Sequence, residues 1–260
     1  MPFPTVELRA HTAFSFNDGA LTPEALIRRA AALGYSAVGI TDTADVGGIV
    51  RAALTARAEG IRIIAGAELN VDGHPAAFLA RTAEGYRNLA ALVTESRVGS
   101  WKTWEKAHAG MRRGQPNVTW AQVMQHSKGL HALTGPASGA CATRIRAGER
   151  DRADRQVAEW KAVFDDRLAV EVHLHHVDGH EAALAAELIR VAARGRVPWV
   201  AAQDPRYIDD TSRLVHDLLT ALRHDLTIDA ALKAGPPPQA STARPPQNLY
   251  LLFTLKACRP

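Results

Sequence analysis

Cysteine is scarce in this 260-residue chain: it has only Cys141 and Cys258. Two cysteines so far apart suggest neither a disulfide framework nor a zinc ribbon, so a reducing, cytoplasmic setting is the expectation. Long apolar runs are also missing. No stretch approaches the roughly 20 residues needed to cross a bilayer, and no membrane partner is expected. Met1-Pro2-Phe3-Pro4-Thr5 carries no basic region followed by an apolar one, so no secretory signal is read. Gly47-Gly48 and the other glycines make no phosphate-binding loop with a following Lys-Ser/Thr. Ser15, Ser138 and Ser212 lack the setting of a nucleophile elbow, and no dinucleotide fingerprint follows the first strand. Nor does one sign of charge dominate: 31 basic against 27 acidic residues leave a net charge of +4. That is compatible with nucleic acid, but an Arg-rich globular surface accounts for it as well.

What is present is ordinary globular composition, with 47% hydrophobic and 22% charged residues. The length suits one large α/β domain or two small ones. Short apolar strands alternate with amphipathic helices. Val6-Glu7-Leu8 reads as a strand. Thr22-Pro23-Glu24 opens a helix with cap, first-turn proline and acidic first turn, and Leu26, Ala30 and Leu33 form its buried stripe. Strands follow at 37–40, 61–64, 76–79, 130–133, 168–173 and 197–201. Between them lie a helix over 47–59 with Val50, Ala53 and Leu54 inward, a helix through Tyr86, Leu89 and Leu92, and a helix opened by a Thr119/Gln122 capping box. Two more are read: one over 144–164, and one capped by Asp178 and Glu181 with Leu184, Leu188 and Val191 inward. Residues 97–117 show no clean period. About seven strand–helix units predict a mostly parallel sheet, doubly wound or closed as a barrel. Residues 1–234 read as one domain. Residues 235–260 read as a Pro-rich linker and a divergent tail, apolar from Leu249 to Leu255, that hints at truncation.

Polar residues gather where strands finish: His11 and Asp18, Asp42, Glu68, His175 and Asp204. The carboxyl ends of parallel strands converge on one face of an α/β fold, where active sites sit. Two imidazoles and four carboxylates there would suit Zn, Mn or Fe and, with bridging carboxylates, phosphoester cleavage. Each residue also has a plainer reading. Asp18-Gly19 is a turn signal, Asp42 could cap the next helix, Glu68 could be salt-bridged at the surface, and His173, His175 and His176 could be strand-end polar residues. Between residues 97 and 113, Arg97, Lys102, Lys106, Arg112 and Arg113 interleave with Trp101 and Trp104. That pattern could track a phosphate backbone, or could be a solvated loop with tryptophans covering the domain.

The motifs resemble a known family. Glu7-Leu8-Arg9-Ala10-His11-Thr12, Phe14 to Ala20, Ile40-Thr41-Asp42, Gly66-Ala67-Glu68, Leu79-Ala80-Arg81, Glu84 to Leu89, Gly129 to Gly135 and Asp204-Pro205-Arg206-Tyr207 occur in order, followed by the stretch from Leu214 to His224. Together they are similar to the PHP (polymerase and histidinol phosphatase) domain of bacterial DNA polymerase III alpha subunits, the error-prone type in particular. The resemblance implies a seven-stranded, distorted TIM-like β/α barrel. In active members it implies a trinuclear metal site with phosphoesterase or 3′–5′ exonuclease chemistry. It also implies DNA and polymerase or repair components as partners, with polymerase activity only in a longer parent chain. Against that pattern several ligand positions are replaced: Arg9, Thr43 and Arg206 stand where histidines are implied, Pro75 where a histidine is, and Pro136 where a cysteine or histidine is. His11, Asp18, Asp42, Glu68, His175 and Asp204 remain. The expectation is a reduced or vestigial site without the full cluster, in which Arg9 and Arg206 neutralise Glu68, Asp42 or Asp204. The rival is a single surviving ion on His11, Glu68, Asp204 and His175, with the activity that would accompany it.

Overall fold

A computed structural model describes residues 5–106, 116–175, 179–224 and 226–227. Seven strands form one curled sheet: β1 (Thr5–Glu7), β2 (Tyr35–Ile40), β3 (Arg62–Val71), β4 (His74–Ala80), β6 (Leu130–Leu133), β7 (Leu168–Val172) and β8 (Trp199–Ala201), hydrogen-bonded in that order. A two-residue strand, β5 (Asn117–Val118), pairs with the end of β3. The helices are α1 (Pro23–Ala32), α2 (Gly48–Glu59), α3 (Ala83–Lys106), α4 (Trp120–Gln125), α5 (Ala140–Arg146), α6 (Arg150–Phe164), α7 (Gly179–Gly195) and α8 (Asp210–His224).

The sheet is parallel except at β4, which runs antiparallel to both β3 and β6. The reversal comes from Asp72-Gly73, both at positive φ (48° and 85°), a two-residue hairpin turn that matches the sheet's twist. Glu68 therefore lies inside a ten-residue strand rather than just past a short one. The edges β1 and β8 do not pair as strands. The chain beyond them crosses the gap instead: the N–H of Gln203 donates to the Glu7 carboxylate at 3.2 Å, that of His11 to the Pro205 carbonyl at 3.1 Å, and that of Ala20 to the Arg206 carbonyl at 3.0 Å.

Local signals explain most elements. Thr22 caps α1 through Ala25 N–H, with Leu26, Ile27 and Ala30 buried. The Thr119/Gln122 capping box at α4 is present in both directions. Three expectations are corrected. In α2, Val50 and Leu54 face solvent at 63% and 68% exposure. The buried stripe is Ile49, Ala52 and Ala56, because the helix begins at Gly48 and small alanines let it pack closely. The helix expected over 144–164 is two, broken at Gly148, whose φ of +77° ends α5. The region from residue 97 is helical as far as Lys106. The expected cap Asp178 and the 235–260 tail lie outside the described residues.

The larger apolar core lies under α3, α5, α6 and α7. Its centre is aromatic: Trp160 stacks on Trp120 (centroids 4.9 Å apart) and on Phe78 (6.1 Å), with Phe164 tilted against all three.

Candidate functional site

The residues after β1 turn inward. Arg9 is completely buried. Its N–H donates to Glu7 Oε1 at 3.0 Å, which holds the backbone in place. Its guanidinium reaches three carboxylates from three parts of the sheet. Nη1 donates to both oxygens of Glu171 on β7, at 3.1 and 2.9 Å. Nη2 is in ion contact with Glu68 on β3, and Nε lies 3.4 Å from Asp204 Oδ2, past the end of β8. A second guanidinium, Arg206, bonds Asp204 Oδ2 through Nη1 at 2.6 Å and Asp18 Oδ2 through Nε at 2.7 Å. A third, Arg223 on α8, donates to the other oxygen of Asp18 at 2.6 Å. Three guanidiniums thus meet four carboxylates, with Arg9 shut off from water and Arg223 a third exposed at the rim.

Histidines fill the remaining space. His11, fully buried, has Nδ1 2.8 Å from Ser15 Oγ and Nε2 3.1 Å from Asp204 Oδ1. His173 Nε2 sits 2.5 Å from Glu171 Oε1. Thr43 donates its hydroxyl to Glu68 Oε1 at 3.2 Å. His216 on α8 has Nδ1 2.7 Å from the Asp18 carbonyl. Gly19 lets this loop fold on itself, since a Cβ there would lie 1.8 Å from the Thr12 carbonyl oxygen.

The electrostatics follow from these contacts. Burial alone would raise the pKa of Asp18, Glu171 and Asp204. The facing charges outweigh it and hold all three below the usual carboxylate range: Arg206, His11 and Arg223 at Asp18, Arg9 and His173 at Glu171, and Arg206, His11 and Arg9 at Asp204. Glu7 behaves oppositely. Burial, outweighing two backbone N–H bonds, pushes it up to about 8.

The expected residues are partly brought together. His11, Asp18, Glu68 and Asp204 share the arginine network, and Arg9 and Arg206 pair with carboxylates as expected. The exception is Asp42, which pairs with no arginine among the described residues. It accepts from Thr12 N–H (2.6 Å), Thr12 Oγ1 (2.7 Å) and Ser15 Oγ (2.7 Å), and so ties the His11 loop to β2; α2 is capped at Gly47 instead. His175 stands beside the network, its Nε2 3.2 Å from the Gln203 carbonyl and its N–H donating to Glu181 Oε2 at 2.9 Å. Pro75 pairs with Asn70 in the β3–β4 ladder. Pro136 lies in the loop after β6, accepting from Gly139 N–H at 2.8 Å. Neither offers a side-chain ligand atom. Arg97 is engaged within the fold, with Nε 2.7 Å from the Ala44 carbonyl and Nη2 2.6 Å from Asp45 Oδ2. Trp101, Lys102 and Lys106 fall on α3, while Arg112 and Arg113 lie outside the described residues. Glu171 and Arg223 were not anticipated. Glu171 could have been found as the lone charge in the buried strand Leu-Ala-Val-Glu-Val.

Among the described residues, no group of three or more His, Cys, Asp or Glu has the geometry of a metal site, and no helix is long and apolar enough to cross a membrane.

Comparison with known proteins agrees with this architecture. The PHP domain profile matches residues 7–175. The chain is 34% identical over 255 residues to an error-prone DNA polymerase of Anaeromyxobacter sp. (strain K), a match covering 95% of this chain and 21% of that protein. It is 31% identical over 232 residues to DNA polymerase III subunit alpha of Pseudomonas aeruginosa, covering 86% and 19%. The chain thus spans about a fifth of the length of these relatives. Two solved structures share the fold. An amidohydrolase from Chromobacterium violaceum has a TM-score of 0.54 at 18% identity, over 77% of this chain and 87% of that one. A protein assigned as a metal-dependent phosphoesterase from Bifidobacterium adolescentis has a TM-score of 0.53 at 16% identity, over 84% and 97%. With its motifs in order along a curled sheet of the same kind, the chain belongs to the PHP domain family.

Proposed function

We propose that this chain is a catalytically degenerate PHP module, structural or accessory in DNA replication or repair, in which arginine supplies the positive charge that a metal cluster would supply. The observation that carries this reading is Arg9: a fully buried guanidinium within reach of Glu68, Glu171 and Asp204 at once. Catalytic metal sites need three or more protein ligands per ion. Here the carboxylates that would serve are already occupied by guanidiniums. A cation entering would meet a fixed positive charge and would leave Arg9 buried without its partners, at a cost of several kcal/mol. A trinuclear cluster therefore does not fit, and no hydrolytic step is assigned. The network's work is to keep Asp18, Glu171 and Asp204 ionised and to hold the loops after β1 and β8 against the sheet. The setting, DNA and replication or repair components, rests on the names of the polymerase relatives.

Elemental analysis of protein purified without chelator tests the proposal. The expected result is substoichiometric Zn, Mn and Fe, and one or more equivalents of any of them would overturn it. A second reading has one specific observation in its favour. His11 Nε2 and Asp204 Oδ1 are buried, 3.1 Å apart, and neither makes a hydrogen bond of good geometry. With Glu68 they could hold a single ion and support phosphoester or exonuclease cleavage. Release of nucleotide from single-stranded DNA with Mn²⁺, lost in Glu68→Ala, would favour that reading.

A further inference from the structure

A second concentration of charge lies away from the strand ends, on the paired helices α5 and α6. Arg144, Arg152, Arg155, Gln156 and Glu159 line an open groove of about 260 Å³. Four of the five come from α6 at positions 152, 155, 156 and 159, the i, i+3, i+4, i+7 spacing of one helical face. The adjoining face, with Ala153, Val157, Trp160 and Phe164, is buried in the aromatic core, so the groove floor is rigid.

Two of the arginines here, Arg144 and Arg155, differ from their neighbours. Arg194 is paired with Asp154 at 2.9 Å and Arg190 with Glu187 at 2.5 Å. In the groove, Arg144 donates to Gln156, itself only 8% exposed, and forms no ion pair among the described residues. Gln156 thus orients one guanidinium and leaves its charge uncompensated. Arg155 has neither a hydrogen bond nor an ion pair among the described residues. Arg152 is ion-paired, Nη1 to Glu149 Oε1 at 3.0 Å. With Arg152 neutralised by Glu149, Arg144 and Arg155 against Glu159 leave the lining an excess of one positive charge.

We propose that this groove binds phosphate groups, with a nucleic-acid strand or free phosphate as their source. Guanidinium forks match phosphate oxygens in geometry as well as charge. The groove is smaller than the roughly 300–1,000 Å³ of pockets that enclose a whole drug-sized ligand, so it receives phosphates and leaves the rest of the ligand outside. This inference does not depend on the arginine-filled strand ends, and its test reads neither metal nor hydrolysis.

The experiment is fluorescence anisotropy of a labelled 20-nucleotide oligothymidylate with the full chain at low salt. Arg144→Gln/Arg155→Gln is compared with Arg57→Gln/Arg62→Gln, which removes two exposed arginines elsewhere. Arg155→Gln alone disturbs no contact and guards against misfolding. The groove pair should lose at least tenfold more affinity than the control pair. Its log–log salt dependence should also be shallower by about 1, near the contribution of one to two strand phosphates. Competition by millimolar inorganic phosphate identifies an isolated phosphate as sufficient, and its failure to compete identifies a strand. Equal losses in the two pairs, or no binding by the unsubstituted chain, would overturn the proposal.

Discussion

On the inner face of α6, Trp160 and Phe164 pack with Trp120 and Phe78, and the one charge at this cluster, Arg167, lies over the Phe164 ring at its edge. At the strand ends Arg9, equally shut off from water, is surrounded by carboxylates. The aromatic interior is held by area and shape, and a small defect in it costs an amount set by the cavity left behind. The ionic interior is held by balance. Its arginines and carboxylates each pay heavily for leaving water and recover that cost only when all are in place. The first degrades in proportion to what is removed, and the second fails when one charge is left without its partners.

The largest expected effect tests that asymmetry. Arg9→Met removes the guanidinium but keeps much of the volume, and leaves Glu68, Glu171 and Asp204 uncompensated. The loss in urea unfolding should reach or exceed about 3–5 kcal/mol. Adding Glu68→Gln, Glu171→Gln and Asp204→Asn should restore a good part of it; no recovery would show that packing, rather than charge, is what Arg9 supplies. Trp160→Ala comes next, at about 3–4 kcal/mol, with no such rescue by charge changes.

Smaller is the pH dependence. The Glu7 pKa is raised to about 8 in the fold from an ordinary 4.5, so the folded state binds the extra proton. Stability from this group is therefore full below about pH 4.5 and lost as pH rises towards 8. Asp18 and Asp204 are lowered, so their contribution is present at neutral pH and lost only as acid takes the solution below the ordinary carboxylate range. In thermal melts from pH 5 to 8 the fall from Glu7 runs against the rise from His131, His175 and His216, whose pKa values burial lowers, so the slope of melting temperature against pH should become more positive in Glu7→Gln. An unchanged slope would place the titration elsewhere. Smallest is Arg97→Ala. It removes a partly exposed pair with Asp45 and should cost about 1 kcal/mol or less in the same assay.

The elements that enclose the apolar interior were largely legible in sequence, because apolar periodicity and capping residues report burial directly, but its stacked aromatics were not singled out. Thr22, Thr119 and the strand at Leu168 all fell where expected. Strand direction was not. Asp72-Gly73 carried the hairpin signal, yet short apolar runs on either side look alike whether parallel or antiparallel. In α2 residue size misled: Val50 and Leu54 suggested the inner face, while the phase set by Gly48 placed alanines there. At the site, the family motifs located His11, Asp18, Glu68 and Asp204, and the replacements at Arg9 and Arg206 suggested ion pairing. Partners could not be read. Which carboxylate an arginine meets depends on strand order, and so Asp42 was offered a guanidinium it does not meet while Glu171 was missed.

The seam between β1 and β8 has a consequence for how the molecule is made. Gln203 and Glu7 are 196 residues apart in the chain, and Arg9 and Glu171 are 162 apart. During synthesis the first strand emerges long before the segment that closes over it, with its edge unpartnered and its arginine lacking Asp204 until residues 200–206 arrive. Such distant closure is slow and leaves an edge open to wrong pairing. A ribosome stalled before Asp204 would therefore hold a nascent chain that is sticky and sensitive to protease, and one stalled some tens of residues later would hold a resistant one.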